Sequence, residues 1–190
     1  MGFAISWLAV SGKSPELVLR ELRVEGTGVF EEIPESPMTC ARLPSGWFLV
    51  FANQFNSPLV SERTLCALSI GGNVVTCQVE EHVMFSSAAV YVDGHRTWQV
   101  QHDAQKAIYD LQCEGTLPAQ FHSIFATLKQ QQDDDGGAES EVDYMHDVPV
   151  ELARSIATFR HDQDISNPGQ QPFEVLTRGA AAARPWWRPW

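Results

Sequence analysis

Residues 82–101, HVMFSSAAVYVDGHRTWQVQ, carry the clearest structural signal in the chain. Two runs rich in strand-forming residues, 83–92 and 95–100, flank the dipeptide Asp93-Gly94. An Asp-Gly pair tolerates the positive φ angles of a type I′ turn, which joins two antiparallel strands through two residues. This stretch therefore predicts a β-hairpin, and it indicates a sheet in which at least some neighbouring strands are antiparallel.

Upstream of the hairpin, apolar runs alternate with helix signals. Ser14-Pro15-Glu16 places a capping hydroxyl before a proline and an acid, which predicts a helix whose apolar stripe includes Leu22. Ser61 is expected to cap a second, short helix that ends before Gly71-Gly72. Continuous apolar runs, typical of strands covered on both faces, occupy 3–10, 47–52 and 74–79.

The second half of the chain is predicted to be mainly helical. Asp103 is expected to cap a helix that runs through Leu111, a further helix follows Pro118, and a third spans 148–159. Residues 29–45 contain three prolines and predict a loop with short extended pieces. The fold class is therefore α+β, with a mainly antiparallel or mixed sheet and C-terminal helices packed on it. A ferredoxin-like βαββαβ core with an added hairpin fits this order.

A chain of 190 residues suits one domain. We assign residues 1–162 to that domain, strand-rich over 1–101 and helical over 102–162, with a polar, acidic loop at 131–141. Residues 163–190 are interpreted as an extended tail. Its last five residues hold three tryptophans, which are expected to pack on the chain's own domain or on a second copy, so a homodimer is one expectation.

The formal net charge of −11 excludes a general nucleic-acid binder, because phosphate binding needs a basic face. No apolar run is long enough for a membrane-spanning helix, and the N-terminal run lacks a basic region before it. The four cysteines form no C-x-x-C pair, which favours buried free thiols in a reducing compartment. We therefore expect a cytoplasmic protein without a membrane partner. The chain also lacks the glycine-rich, Walker and zinc motifs of common cofactor sites, so we expect no cofactor.

The most unusual feature of the sequence is the distribution of its charged residues. Eight acids and no lysine or arginine lie between Lys129 and Arg154. Such a segment attracts a basic protein surface and speeds encounter at low salt. Two other interpretations of this segment remain open: a solvated loop that only aids solubility, and a divalent-cation site. The ligand spacing of an EF-hand calcium loop is absent. Trp98, on the hairpin, is a candidate interface anchor. The candidate acidic docking residues are Asp133, Asp134, Asp135, Glu139, Glu141 and Asp143.

Three His-Asp dipeptides suggest a different chemistry. Paired imidazoles and carboxylates can bind a metal or serve as a base and its orienting group. The simpler interpretation is structural: Asp103 and Asp147 stand where helix caps are expected, and His161 falls in a last helical turn, where a cation is favoured. The pairs are His102-Asp103, His146-Asp147 and His161-Asp162.

In size, acidity, single-domain α+β organisation and lack of a catalytic motif, the chain resembles small acidic bacterial immunity proteins. These are cytosolic inhibitors of toxins exchanged between competing cells. The resemblance implies a non-catalytic protein-binding module whose acidic segment and exposed aromatics occlude the basic active site of a toxin enzyme. Two alternatives remain open: a small hydrolase or metal-dependent enzyme that uses the His-Asp pairs, and a structural or accessory protein.

Overall fold

A computed structural model describes residues 2–165 and 170–179. Within these ranges the chain forms nine strands and four α-helices. The strands are β1 (Ala4–Ser11), β2 (Val24–Glu31), β3 (Met38–Arg42), β4 (Phe48–Ala52), β5 (Asn73–Glu80), β6 (Phe85–Val92), β7 (His95–Asp103), β8 (Leu111–Gly115) and β9 (Phe173–Arg178). The helices are α1 (Pro15–Leu22), α2 (Glu62–Leu68), α3 (Gln120–Asp134) and α4 (Asp147–Ala157). None of these helices has the length and apolar character needed to cross a membrane.

The strands form one antiparallel sheet in the order β2-β9-β3-β4-β1-β5-β6-β7-β8. At its centre, β3, β4, β1 and β5 are consecutive, α1 follows β1, and α2 joins β4 to β5. Val18 of α1 and Leu65 of α2 belong to one apolar cluster, so both helices lie on the same face. This is the strand order and helix placement of a ferredoxin-like βαββαβ unit, which the β6–β7 hairpin extends. The α+β prediction is confirmed.

Helices cover both faces of the central strands. Along β1, Trp7 and Ala9 point to the α3/α4 face, whereas Leu8 and Val10 point to the α1/α2 face. All four are almost completely buried. The continuous apolar run of the sequence thus has the expected cause, because successive side chains of a strand point to opposite faces.

The predicted local signals are present in the structure. The Ser14 hydroxyl accepts a hydrogen bond from the Leu17 amide at the start of α1, and Ser61 caps α2 through the Thr64 amide. Asp93 and Gly94 have φ angles of 47° and 83°, the positive pair that a type I′ turn requires.

At 29–45, where the sequence predicts a loop with short extended pieces, the extended pieces are strands of the sheet. Residues up to Glu31 continue β2, and Met38–Arg42 form β3. Gly26 and Gly28 lie inside β2, where the register with β9 shifts, and Gly28 has a φ of 74°. A glycine at such a shift permits a bulge without ending the strand. Gly26 and Gly28 therefore mark an irregularity within a strand.

The helix predicted from Asp103 to Leu111 is also wrong. Asp103 ends β7, and its carboxylate accepts a hydrogen bond from the Gln105 amide within a turn. Leu111 begins β8, the edge strand that pairs with β7. The apolar stripe of such a helix would be Ala104, Ala107, Ile108 and Leu111, and its two alanines bury little surface. The open edge of β7 instead offers backbone hydrogen bonds to a strand.

Residues 173–178, which the sequence placed in an extended tail, form β9. This strand lies between β2 and β3, and Phe173 and Leu176 are buried in opposite faces of the sheet. Since β9 is more than 130 residues from β3 in the chain, no local pattern indicates the pairing. The tryptophan-rich segment 186–190 lies outside the described residues.

Candidate functional site

The acidic segment forms a corner of the molecule where α3 ends. We define the acidic corner by five exposed carboxylate residues, Asp133, Asp134, Asp135, Glu139 and Glu141. The predicted loop at 131–141 is partly helical, because α3 continues to Asp134 and a short 3-10 turn spans Gly137–Glu139. The corner is therefore built from a helix end and a turn, and its carboxylates lie close together in the chain.

Some of these carboxylates are held by neutral or basic neighbours. Asp133 accepts hydrogen bonds from the Lys129 ammonium at 2.6 Å and from the Tyr109 hydroxyl at 2.6 Å. These two contacts, that of Lys129 first, lower the pKa of Asp133. Asp134 accepts from Gln130, and Asp135 accepts from Ser140. Because four of the five carboxylates form no ion pair within the described residues, the corner keeps most of its negative charge.

This charge stands at an unfavourable place for helix stability. The C-terminus of a helix carries a partial negative charge, so cations stabilise it and anions destabilise it. The last turn of α3 contains no basic residue, and Asp133, Asp134 and Asp135 lie at or just beyond it. For Asp134 and Asp135, which no described lysine or arginine pairs with, this placement opposes folding and favours a role other than stability.

A buried glutamine fixes the turn that carries the outer carboxylates. Gln132 is fully buried, and its side-chain amide donates to the carbonyl oxygens of Gly137 at 2.7 Å and Val142 at 3.1 Å. Its side-chain oxygen accepts from the Tyr144 amide at 2.8 Å. Gln132 is the last of three consecutive glutamines, and no local signal distinguishes it from the other two. One side chain thus joins both ends of the acidic corner to α3.

A buried histidine anchors the segment beyond the corner. The ring of His102 lies with Nε2 2.8 Å from an Asp143 carboxylate oxygen and Nδ1 2.7 Å from the Asp110 carbonyl oxygen. The other Asp143 oxygen accepts from the His146 amide. The Asp143 side chain is only 6% exposed. The prediction that Asp143 is a docking residue is therefore corrected, because its carboxylate is used inside the molecule.

Trp98 is not available as an interface anchor. It is 5% exposed and belongs to the apolar cluster that packs under α3 and α4. The alternation along β7 shows that Trp98 and Val100 share a face, but it cannot show that helices cover this face. Near the corner, the exposed apolar side chain is Val142, which is 48% exposed.

Two of the three His-Asp dipeptides, His102-Asp103 and His146-Asp147, lie close together, and within the second His146 Nδ1 is 3.9 Å from Asp147 Oδ1. The rings of His102 and His146 are in edge-to-face contact, with centroids 6.3 Å apart. His161 contacts the Phe3 ring instead, and burial lowers the pKa of its imidazole. His146 Nε2 and His161 Nδ1 are buried, and among the described residues neither atom has a hydrogen-bond partner. Within residues 2–165 and 170–179, no group of three His, Cys, Asp or Glu side chains is placed to hold a metal ion.

The structural interpretation of these dipeptides is wrong in its details. Asp147 begins α4 but makes no side-chain cap, and His161 lies in a turn beyond the last helical residue, Ala157. Both Asp147 and Asp162 bind Arg160, at 3.0 Å and 2.7 Å, and Glu151 binds it at 2.5 Å.

Arg160 is therefore the centre of an acidic cluster that the sequence did not reveal. Burial opposes ionisation of Asp147, but contacts with His146 and Arg160 outweigh it and lower the pKa of this carboxyl. Burial likewise opposes the charge of Arg160, and the surrounding carboxylates outweigh it and raise the pKa of the guanidinium. The cluster ties α4 to the segment that follows it, and its single guanidinium pairs with two of the eight acids counted in the sequence, Asp147 and Glu151, as well as with Asp162.

Comparisons with known proteins add no relative: no family model, no curated protein and no solved structure matches the chain. The site is therefore interpreted from its own geometry.

Proposed function

We propose that the chain is a non-catalytic protein-binding module that inhibits a basic enzyme, as an immunity protein does, by docking the acidic corner onto the enzyme's positive active site. The observation that carries the proposal is the placement of Asp134 and Asp135, which no described lysine or arginine pairs with, at a helix C-terminus, where their charge opposes folding. Natural proteins retain destabilising charges most often where function needs them.

Preorganisation supports the same proposal. Gln132 fixes the turn through three hydrogen bonds, and the contact between His102 and Asp143 holds the next segment. A surface that is already ordered loses less conformational entropy on binding. The exposed Val142 lies beside the carboxylates and offers an apolar contact to a partner. The revised docking residues are Asp133, Asp134, Asp135, Glu139, Glu141 and Val142.

A basic partner follows from charge complementarity. Enzymes that act on phosphate-bearing substrates have positive active sites, so a toxin nuclease is the class of target that this corner fits best. Association with such a partner is expected to be fast at low salt and to slow as salt screens the carboxylates. A cytoplasmic location belongs to the same proposal, since an immunity protein acts inside the cell that it protects.

The test needs a basic partner protein. The protein to use is one that ends in a basic, toxin-like domain and is encoded by a gene next to the gene of this chain. Association is measured by stopped-flow fluorescence at 20 mM and 300 mM NaCl for the wild type and for the triple variant Asp134→Asn, Glu139→Gln, Glu141→Gln. The control variant, Glu35→Gln, Glu62→Gln, Asp164→Asn, removes the same charge from exposed sites elsewhere.

We expect the corner variant to associate about tenfold more slowly at 20 mM NaCl and to lose most of the salt dependence. The control variant is expected to associate within about twofold of the wild-type rate. Equal rates for the two variants, or an unchanged ability of the corner variant to inhibit the enzyme, would show that the corner is not the docking surface.

A further inference from the structure

A second charged surface lies on the opposite face of the sheet. Seven of the described lysines and arginines form ion pairs with carboxylates. Within residues 2–165 and 170–179, the remaining cations form none, and all of them line one groove between α1, α2 and the adjoining strands. They are Arg20, Arg23, Arg63 and Arg178, and all four are exposed.

The fold itself brings these arginines together. Arg20 lies in the last turn of α1, and Arg23 caps this helix through a hydrogen bond from its amide to the Arg20 carbonyl oxygen, so the two residues lie at the same end of the helix. Arg178 is directly opposite Val24 in the β2–β9 pairing, next to Arg23 in the chain. Arg63 comes from α2, which packs beside α1. Elements from three parts of the sequence thus supply one positive surface.

The acids of the groove do not neutralise it. Glu16 is paired with Arg42 and Glu21 with Lys13, and both of these cations lie outside the groove. Glu25 is the remaining acid of the lining. Four arginines against one free carboxylate leave the groove positive, although the whole chain carries a net charge of −11.

One of these arginines is kept in an unfavourable backbone conformation. Arg23 has a φ of 57° at the end of α1, in the left-handed region where glycine is the usual residue. Its carbonyl oxygen accepts a hydrogen bond from the Gly179 amide, which fixes the residue beside β9. An arginine at this position is more easily understood if its side chain has a role in the groove.

The floor of the groove is apolar. Leu19, Leu22, Met38 and Leu59 are half-buried and line the same groove as the arginines. The groove has a volume of about 1690 Å³, larger than the roughly 300–1,000 Å³ of typical small-molecule pockets. Its size favours a chain segment over a small ligand, and its apolar floor favours side chains over a sugar-phosphate backbone.

We propose that this groove binds an acidic peptide segment of a partner protein, with carboxylates on the arginines and leucine- or phenylalanine-type side chains on the apolar floor. The groove lies on the α1/α2 face and the acidic corner on the α3/α4 side, so the two surfaces can be occupied separately. The proposal does not depend on the function proposed for the corner.

The test is fluorescence anisotropy with a fluorescein-labelled twelve-residue peptide that repeats Glu-Glu-Leu, with one leucine replaced by phenylalanine. The wild type is compared with the double variant Arg20→Ala, Arg63→Ala, and with Arg178→Glu as a second variant. Arg154→Ala, an exposed arginine of α4, is the control. A peptide with lysine in place of glutamate tests whether the groove binds the peptide through its negative charge.

We expect the acidic peptide to bind the wild type at 20 mM NaCl and to bind each groove variant about tenfold more weakly, because each exposed charge pair contributes modestly to affinity. Arg154→Ala is expected to change the affinity less than twofold, and any affinity of the lysine peptide for the acidic corner is expected to be unchanged in the groove variants. Absence of binding, or equal losses in the groove and control variants, would overturn the proposal.

Two competing ligands are tested in the same assay. Single-stranded oligothymidine and phosphatidylglycerol vesicles carry phosphate charge without acidic side chains. If either binds through Arg20 and Arg63 more tightly than the peptide does, the groove is a nucleic-acid or lipid site and the peptide proposal is wrong.

Discussion

Replacement of the buried Gln132 by alanine tests whether one side chain holds the acidic corner. The substitution removes three hydrogen bonds, of 2.7, 3.1 and 2.8 Å, and leaves the Gly137 and Val142 carbonyls and the Tyr144 amide without this partner. A neutral hydrogen bond contributes about 1 kcal/mol net, and a buried group left unpaired costs about 1–3 kcal/mol. Water can reach part of the exposed turn, so we expect Gln132→Ala to lower the free energy of unfolding by about 3 kcal/mol.

The assay is urea unfolding followed by tryptophan fluorescence, with hydrogen exchange of the Tyr144 amide as a local probe. Gln131→Ala is the matched control, because it changes the neighbouring residue of the same helix at an exposed position. We expect the control to stay within about 0.5 kcal/mol of the wild type and its Tyr144 amide to remain protected. A Gln132→Ala protein of wild-type stability with a protected Tyr144 amide would refute the reasoning.

Three further predictions follow from single contacts. Asp134→Asn is expected to stabilise the protein by about 0.3–1 kcal/mol in thermal unfolding, because it removes an anion from the end of α3; a lower melting temperature would contradict this. Arg160→Met leaves Asp147 and Asp162 without their guanidinium partner and Glu151 with Arg154 alone among the described residues, and it is expected to cost about 2 kcal/mol in urea unfolding, whereas the exposed Arg154→Met should cost under about 0.5 kcal/mol. Burial lowers the pKa of His161, so the unfolded chain binds a proton more readily than the folded one, and stability is lost as the pH falls below about 6.5. His161→Gln should lose less stability than the wild type between pH 7 and pH 5, and parallel pH profiles would exclude this origin.

The local elements that the sequence predicted share one property: their signals are complete within a few residues. Ser14 and Ser61 cap their helices through amides three residues away, and the Asp93-Gly94 turn needs only its own two φ angles. The helix expected after Asp103 was wrong because the open edge of β7, and not the local pattern, decides the structure there.

The candidate site could be predicted only in part, for a related reason. The block of acids is visible in the sequence, and five of its members are exposed. Which carboxylates remain available depends on partners far away in the chain: Asp143 meets His102, 41 residues before it, and Asp147 meets Arg160, 13 residues after it. Trp98 was expected to be exposed because the sequence cannot show that α3 and α4 cover its face of the sheet.

The sequence by itself determined the fold class, the two-sided burial of β1, the hairpin and the acidic block, because periodicity, capping and turn chemistry act over short distances. The tertiary structure alone decided the insertion of β9, the three hydrogen bonds of Gln132 and the gathering of four unpaired arginines into one groove. These features depend on contacts between segments distant in the chain, and such contacts form only when the sheet and its helices bring those segments together.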